Sequence, residues 1–360
     1  MATEEKKKSL DTDIDIYDIS GEVELAIPEG LTKDLKKEIK NMKNASRQEI
    51  KFLLDSYYQT QKMRIAVKNQ IDAIKRSADD NADTYCDILT WRLKCLLVEE
   101  DGIVKALDTV CKLNPVGKWL TQILGISSIL AAGCLSYFEL KDNMYATHFI
   151  SYAGLNDNNR PWLGSEKAKK IVNEVLGDSK EITDEHLAEL SIRTQWKYGY
   201  LNEHCTKVSK SGKVTRNKQD LINAIAKIPY NKSLKVLMYK IAHSFKLCCN
   251  KPNSLYGRLY QERKILETKL NEEGKYADQA KEILATKNFN KNTEAYKYYS
   301  QGKLPPAHIQ RRAERYATKI FVVHLFEEMY REKYGEAPAP YYVFKLGHKD
   351  YIEPEVPFTK

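Results

Sequence analysis

The stretch Ile123–Leu155, ILGISSILAAGCLSYFELKDNMYATHFISYAGL, decides how this chain is read. Its segment Leu124-Gly125-Ile126-Ser127 runs apolar, glycine, apolar, small, the form of a tight turn between two short helices. Glycine suits such a turn because, without a Cβ, it takes φ > 0 and lets the backbone approach another backbone. The N–H groups at the start of the second helix, with its dipole, favour an anion such as phosphate. Contacts from Gly125, Ile126, Ser127 and Ser128 would therefore position a nucleic-acid backbone without reading its sequence. Before the turn, LNPVGKWLTQ supplies Pro115 at a helix start, with Trp119 and Leu120 on an apolar face. After it, Ala131, Ala132 and Gly133 make a small-residue helix suited to close packing.

Outward from this unit the apolar periodicity is helical almost everywhere. From Ser46 to Ser77, Ile50, Leu53, Leu54 and Tyr57 lead to Val67, Ile71 and Ile74, with Gln61, Arg64 and Lys68 interrupting the seam. That pattern predicts a long helix with a partner. A second helix is predicted over Ala82–Leu97, after the polar turn SADDNAD. The two pair either as an antiparallel hairpin or across a homo-oligomer as a coiled coil. Short helices are predicted at Ser165–Leu176 and Thr183–Arg193, and residues 267–302 read as polar surface helix and loop.

After Pro305-Pro306, Ala313, Tyr316, Ile320, Val323, Phe326 and Tyr330 recur at three- and four-residue spacing. Arg311, Arg315 and Lys319, joined by Arg312, line another face of the same helix. That rail suits a DNA backbone, or else a salt-bridged surface in which Glu314 takes part. Beyond Gly335, a proline-spaced tail with Tyr341, Tyr342, Phe344 and Tyr351 drapes over the body or docks on a second subunit. The expected class is all-α. Its segments are an acidic leader (1–45), linker helices (46–112), a helix-hairpin-helix core (113–155), inserted helices (156–205), a basic C-terminal domain (206–335) and the tail (336–360).

Charge is unevenly placed along the 360 residues, whose formal net charge is +9. His204–Gln261 holds twelve Lys/Arg against the single acid Asp220, while residues 1–30 hold nine acids against three lysines. The basic block, interleaved with Tyr230, Tyr239, Tyr256 and Tyr260, suits a polyanion, because each neutralised phosphate releases condensed counterions. Lys207, Lys210, Lys213, Arg216, Lys218, Lys232 and Lys235 are its candidate contacts. The alternative is a solvated lysine-rich face. Seven cysteines with no CxxC pair and an odd count argue against a disulfide framework. No apolar run reaches membrane-spanning length, so a cytosolic or nucleoid location is expected.

Leu113–Leu155 resembles the C-terminal half of the insertion-sequence transposases of the one-ten family, the bridge recombinases, in its order of hairpin, small-residue helix and YAGL. Ser46–Ile74 resembles the linker helix of that family. Ser211–Val214 (SGKV) and Tyr230–Phe245 resemble its serine-bearing loop and the helix that follows, and Ala307–Tyr330 resembles its last block. The resemblance implies a mobile-element or phage-encoded DNA transposase in which Ser211, or in second place Ser209, attacks DNA phosphate. Such a serine needs an activated hydroxyl and cations to neutralise developing charge, which Lys207, Lys210, Lys213 and Arg216 could supply. The family also carries a strand-rich RuvC-like domain with four acidic metal ligands, far longer than the 45 residues preceding Ser46. Asp11, Asp13, Asp15 and Asp18 alternate in DTDIDIYDI but read as an acidic leader. Mg2+ enters only if a partner supplies ligands.

Other constellations are weak. The seven histidines show no HxxxH spacing, there is no Walker loop, and His324 within FVVHLF reads as a core histidine. Three functions stay open: a serine-type transposase, a DNA or structured-RNA binder that does not cut (a guide RNA included), and a helical scaffold for protein partners.

Overall fold

The computed structural model describes residues 37, 41–42, 45–77, 82–156, 162–179, 181–208, 212, 214–338 and 351–358. Among these are fourteen helices and one two-stranded sheet, so the fold is all-α. The acidic leader, with Asp11, Asp13, Asp15 and Asp18, lies outside the described residues. Two compact units are distinguished: Gln59–Gly102, and Ile39–Tyr58 together with Ile103–Lys360.

Helix α1 (Arg47–Ser77) begins with a reciprocal cap. Ser46 N–H donates to Glu49 Oε2 at 2.7 Å, and Glu49 N–H donates to Ser46 Oγ at 3.3 Å. In the first unit its Val67, Ile71 and Ile74 meet Leu89, Leu93 and Leu96 of α2 (Ala82–Leu113). α2 runs sixteen residues past the expected end at Leu97. The run Glu99-Glu100-Asp101-Gly102 looks like a polar break, but Glu100 is buried and paired with Arg64 at 2.6 Å, and Glu99 Oε1 accepts from Thr60 at 3.1 Å. Intrahelical acids that find cross-helix donors no longer oppose the helix.

The larger unit is built on α3 (Pro115–Gln122), α4 (Ser128–Tyr137), α5 (Ala146–Tyr152), α10 (Lys232–Leu247), α11 (Leu255–Glu272) and α14 (Pro306–Tyr334). α14 is its axis: Ala313, Ala317, Phe321, Val322, Leu325 and Phe326 are buried among residues of all the others. The inserted helices, α6 (Gly164–Leu176), α7 (Asp184–Thr194) and α8 (Tyr198–Cys205), bury Ala168, Val172, Leu187, Leu190 and Leu201 with Leu221, Ile222 and Ile225 of α9 (Lys218–Ala226). Their shared core thus passes beyond residue 205. Strands β1 (Thr206–Val208) and β2 (Val214–Arg216) pair antiparallel between α8 and α9.

Residues 267–302 hold more than surface. α12 (Ala277–Thr286) and α13 (Glu294–Ser300) close a small core of Tyr276, Ala280, Tyr299, Leu304 and Ile309. It was missed because tyrosine-rich, lysine-rich text carries little apolar period.

Residues 351–358 lie on the body. Trp119 Nε1 donates to Val356 O at 2.9 Å, Phe358 stacks on Trp119, and Glu355 accepts from Leu124 N at 2.7 Å and Leu255 N at 2.8 Å. Tyr341, Tyr342 and Phe344 lie outside the described residues. Beneath this segment His324 is fully buried. Its Nδ1 accepts from Tyr256 OH and its Nε2–H donates to Ile352 O, each at 2.8 Å. Burial pushes the imidazole down to about 4. Nearby Glu327, bonded by Tyr351 OH at 2.7 Å, is pushed up to about 7 by burial, against the Tyr351 bond and the Arg331 charge.

These two shifts act on stability with opposite sign. The folded state holds the Glu327 proton more tightly than the unfolded chain, so this group makes stability fall as pH rises from about 4.5 to about 7. The unfolded chain holds the His324 proton more tightly, so stability rises from about pH 4 to about 6.5. The two largely cancel. Glu327→Gln removes the first alone, so its urea midpoint is expected to climb more steeply between pH 4.5 and 7 than that of the parent chain. Parallel pH profiles for the two proteins would show that folding does not raise the Glu327 carboxyl.

Candidate nucleic-acid interface

The cationic rail forms because α14 starts on Pro305-Pro306 and then keeps an apolar stripe toward the core for 29 residues, which leaves its arginines on the flank. Facing that flank is α10, capped by Asn231, whose Oδ1 accepts from Leu234 N at 3.0 Å. Asn231 also bonds Tyr152 twice, N–H to carbonyl at 2.9 Å and Nδ2 to phenol at 2.8 Å, which docks the YAGL run against α10. Gly154, at φ +67°, fits under Tyr230; a Cβ there would stand 2.8 Å from the ring.

Two adjoining clefts result. The first, of about 200 Å3, is lined by Gly154, Leu155, Lys235, Tyr239, Arg311 and Arg315 among others. The second, of about 140 Å3, is lined by Arg263, Glu267, Arg312, Arg315, Tyr316 and Lys319. Arg315 belongs to both. Aromatic rings back the cations: Lys235 Nζ lies 4.2 Å from the Tyr230 centroid, Arg311 Cζ 4.2 Å from Tyr239, and Arg263 Cζ 4.9 Å from Tyr316.

The rail is not one uniform face. Arg312 is committed to Glu267, which is buried and accepts from Arg312 Nε at 2.7 Å, Arg263 Nε at 2.8 Å and Tyr276 OH. Burial works to raise the Glu267 carboxyl, but the bonds from Arg312 and Tyr276 and the charge of Arg312 hold it below its ordinary value. Arg311 is shared between Glu314 Oε2 at 2.8 Å and Tyr239 OH at 2.7 Å. At Arg315 and Lys319 burial works against the charge. Burial lowers the pKa of Arg315, and burial followed by the charges of Arg315 and Arg263 lowers that of Lys319. Lys319 makes no ion pair among the described residues. A half-buried cation facing like charges is stabilised by an incoming anion.

The hairpin candidates are engaged within the fold through carbonyl and side-chain groups. Gly125 does take φ +93°, but its carbonyl accepts from Ser244 Oγ at 2.6 Å. Ile126 is buried, Ser127 caps α4, and Ser128 Oγ donates to Asp108 at 2.6 Å. Glu355 accepts from the neighbouring Leu124 N–H. The close approach that glycine permits is used for packing on α10.

The basic block is divided by the fold. Lys207 pairs with Asp220 at 2.6 Å. Arg216 binds Ile182 O at 3.0 Å, Asn202 Oδ1 at 2.9 Å and the Asp184 carboxylate, a structural knot within the inserted lobe. Lys218 and Lys232 are exposed at the first positions of α9 and α10. Among the described residues of the block, Lys235 joins the α14 cations in the first cleft. Ser209, Lys210, Ser211 and Lys213 lie outside the described residues. Sequence reasoning missed Arg263 and Glu267; their i,i+4 spacing in α11 was the available signal. It also missed Lys240, which lies 3.3 Å from the Tyr58 centroid and which burial lowers to about 8.

Among the described residues no group of His, Cys, Asp and Glu gathers as a metal site, and no helix is long and apolar enough to cross a membrane. In comparison with known proteins, no family model matches the chain, and neither a curated protein nor a solved structure matches it.

Proposed function

We propose that this chain binds nucleic acid, taking the phosphate backbone along the two clefts that flank α14 without cutting it. The observation that carries this reading is the pair Arg315 and Lys319: two half-buried cations on the walls of adjoining clefts, their charges disfavoured by burial and, at Lys319, by Arg315 and Arg263 as well. Phosphate oxygens there would form charge-assisted hydrogen bonds in place of lost hydration. The exposed Tyr239 and the neighbouring Tyr316 add ring surface beside the cations, as nucleic-acid grooves do. DNA is the expected partner, with structured RNA as the alternative.

A second reading, strand transfer by a serine-type transposase, is favoured by the β1–β2 ladder. Its last pair, Val208↔Val214, flanks the stretch of sequence that holds Ser211, and a Cβ at Gly212 would meet no atom within 4 Å. Ser211 is its nucleophile: an Oγ–P bond would form as the P–O bond to the sugar breaks, and the leaving sugar oxygen would take up a proton.

One experiment separates the two. The tagged chain is recovered under denaturing conditions, with and without ultraviolet crosslinking, and attached nucleic acid is sequenced. Recovery only after crosslinking is the expected result. Attachment without crosslinking that disappears in Ser211→Ala would establish the transposase instead, and no nucleic acid in either sample overturns both.

A further inference from the structure

α2 carries two apolar stripes. Leu89, Leu93 and Leu96 face α1. A second set, Ile88, Trp91, Cys95 and Val98, follows the 3-4-3 rhythm of heptad a and d positions and lies about 150° around the helix from the first. Ile88 is 64% exposed and Trp91 67%, and Cys95 is exposed beside them. A large indole at that exposure, in register with three other apolar positions, is the pattern of a helix that lacks its partner.

The charges flanking this stripe identify the partner. With Ile88 and Cys95 at a, and Trp91 and Val98 at d, the g positions are Asp87, Lys94 and Asp101, and the e positions are Arg92 and Glu99. Two copies side by side, parallel and in register, stack all four apolar layers on their equivalents. The flanks then match: Asp87 meets Arg92 of the second copy and Lys94 meets its Glu99, each twice by symmetry. The antiparallel register that buries the same four layers sets Arg92 against Arg92, Lys94 against Lys94 and Asp87 against Asp101. Sliding the antiparallel pair by a heptad to relieve those clashes keeps only half of the apolar layers together, Cys95 with Val98 or Ile88 with Trp91. Attraction and full apolar burial coincide in one arrangement alone.

We infer that a second copy of this chain covers the stripe, as a parallel, in-register two-stranded coiled coil centred on Trp91 and Cys95. The full chain is expected to rise from its monomer mass of 41.6 kDa to twice that value between low and tens of micromolar concentration in light scattering. Trp91→Ser holds it monomeric with unchanged helical circular dichroism. Asp87→Arg and Arg92→Asp each raise the dissociation constant about tenfold, and the double swap D87R/R92D restores it. Mild oxidation with diamide links two copies through Cys95, which parallel pairing sets opposite itself, and Cys95→Ser abolishes the link. A monomer at every concentration overturns the inference. So does a dimer indifferent to Trp91→Ser, or one that Asp87→Arg tightens, since that substitution favours the antiparallel pair.

Discussion

Replacing Arg315 and Lys319 together by glutamate is expected to weaken duplex DNA binding by about a hundredfold or more and to flatten its salt dependence. Two lost phosphate contacts reduce the slope of log affinity against log salt by about 1.8, and the reversed charges add repulsion at low salt. The double variant should keep the fold, because both side chains line cleft walls while Ala313, Ala317 and Phe321 carry the packing of α14. Lys207→Ala is the contrast. Lys207 is held by Asp220 in the inserted lobe, so its loss should change affinity less than about threefold. Fluorescence anisotropy on a labelled duplex across a salt series measures all of this. If Lys207→Ala and the double variant weaken binding equally, a diffuse basic surface does the binding and the clefts have no special part.

That contrast also marks what could be read from the letters. The helices were legible because their signals are local: the Ser46–Glu49 cap, the Pro305-Pro306 start and the three- and four-residue apolar spacing all act within a few turns. The YAGL run ends α5, a helix the sequence reading did not foresee, and its Gly154 and Leu155 line the first cleft. The hidden parts depend on partners distant in sequence. Nothing near Arg312 announces that Glu267, 45 residues earlier, will take it out of the rail. Nor does the hairpin sequence announce that Asp108 will take the Ser128 hydroxyl and Glu355 the Leu124 N–H. A basic stretch is a statement about composition. Which of its cations remain available is decided by where acids are brought by the fold, and here Lys207, Arg216, Arg311 and Arg312 are engaged while Lys235 and Lys319 line open clefts.

The largest effect on stability is expected at Gly117, and its sign runs against helix propensity. Alanine in place of a helical glycine ordinarily helps by about 0.5–1 kcal/mol, because the unfolded chain has less freedom to lose. Gly117 lies in the first turn of α3, with its N–H bonded to the Asn114 cap at 2.9 Å, and there the helix passes directly over the last turn of α2. A Cβ at 117 would stand 2.6 Å from the carbonyl oxygen of Cys111 and 2.8 Å from its Cα. Both are backbone atoms, so no rotamer relieves the overlap and α3 itself must move. That helix carries Trp119 and Leu120, both buried in the main core, and through Trp119 Nε1 it holds the segment ending at Phe358. Gly117→Ala is expected to cost about 1–3 kcal/mol, the range for an overpacked core, and to lower Tm by about 2–5 °C. Gly199 provides the opposite case: it lies in α8 with ordinary φ, and a Cβ there meets no atom within 4 Å. Gly199→Ala should leave Tm unchanged or raise it slightly. Thermal unfolding of the two variants in parallel tests the packing directly, since one substitution type is predicted to act with opposite signs at two helical sites. A Gly117→Ala protein as stable as its parent would mean that α2 and α3 do not approach backbone to backbone.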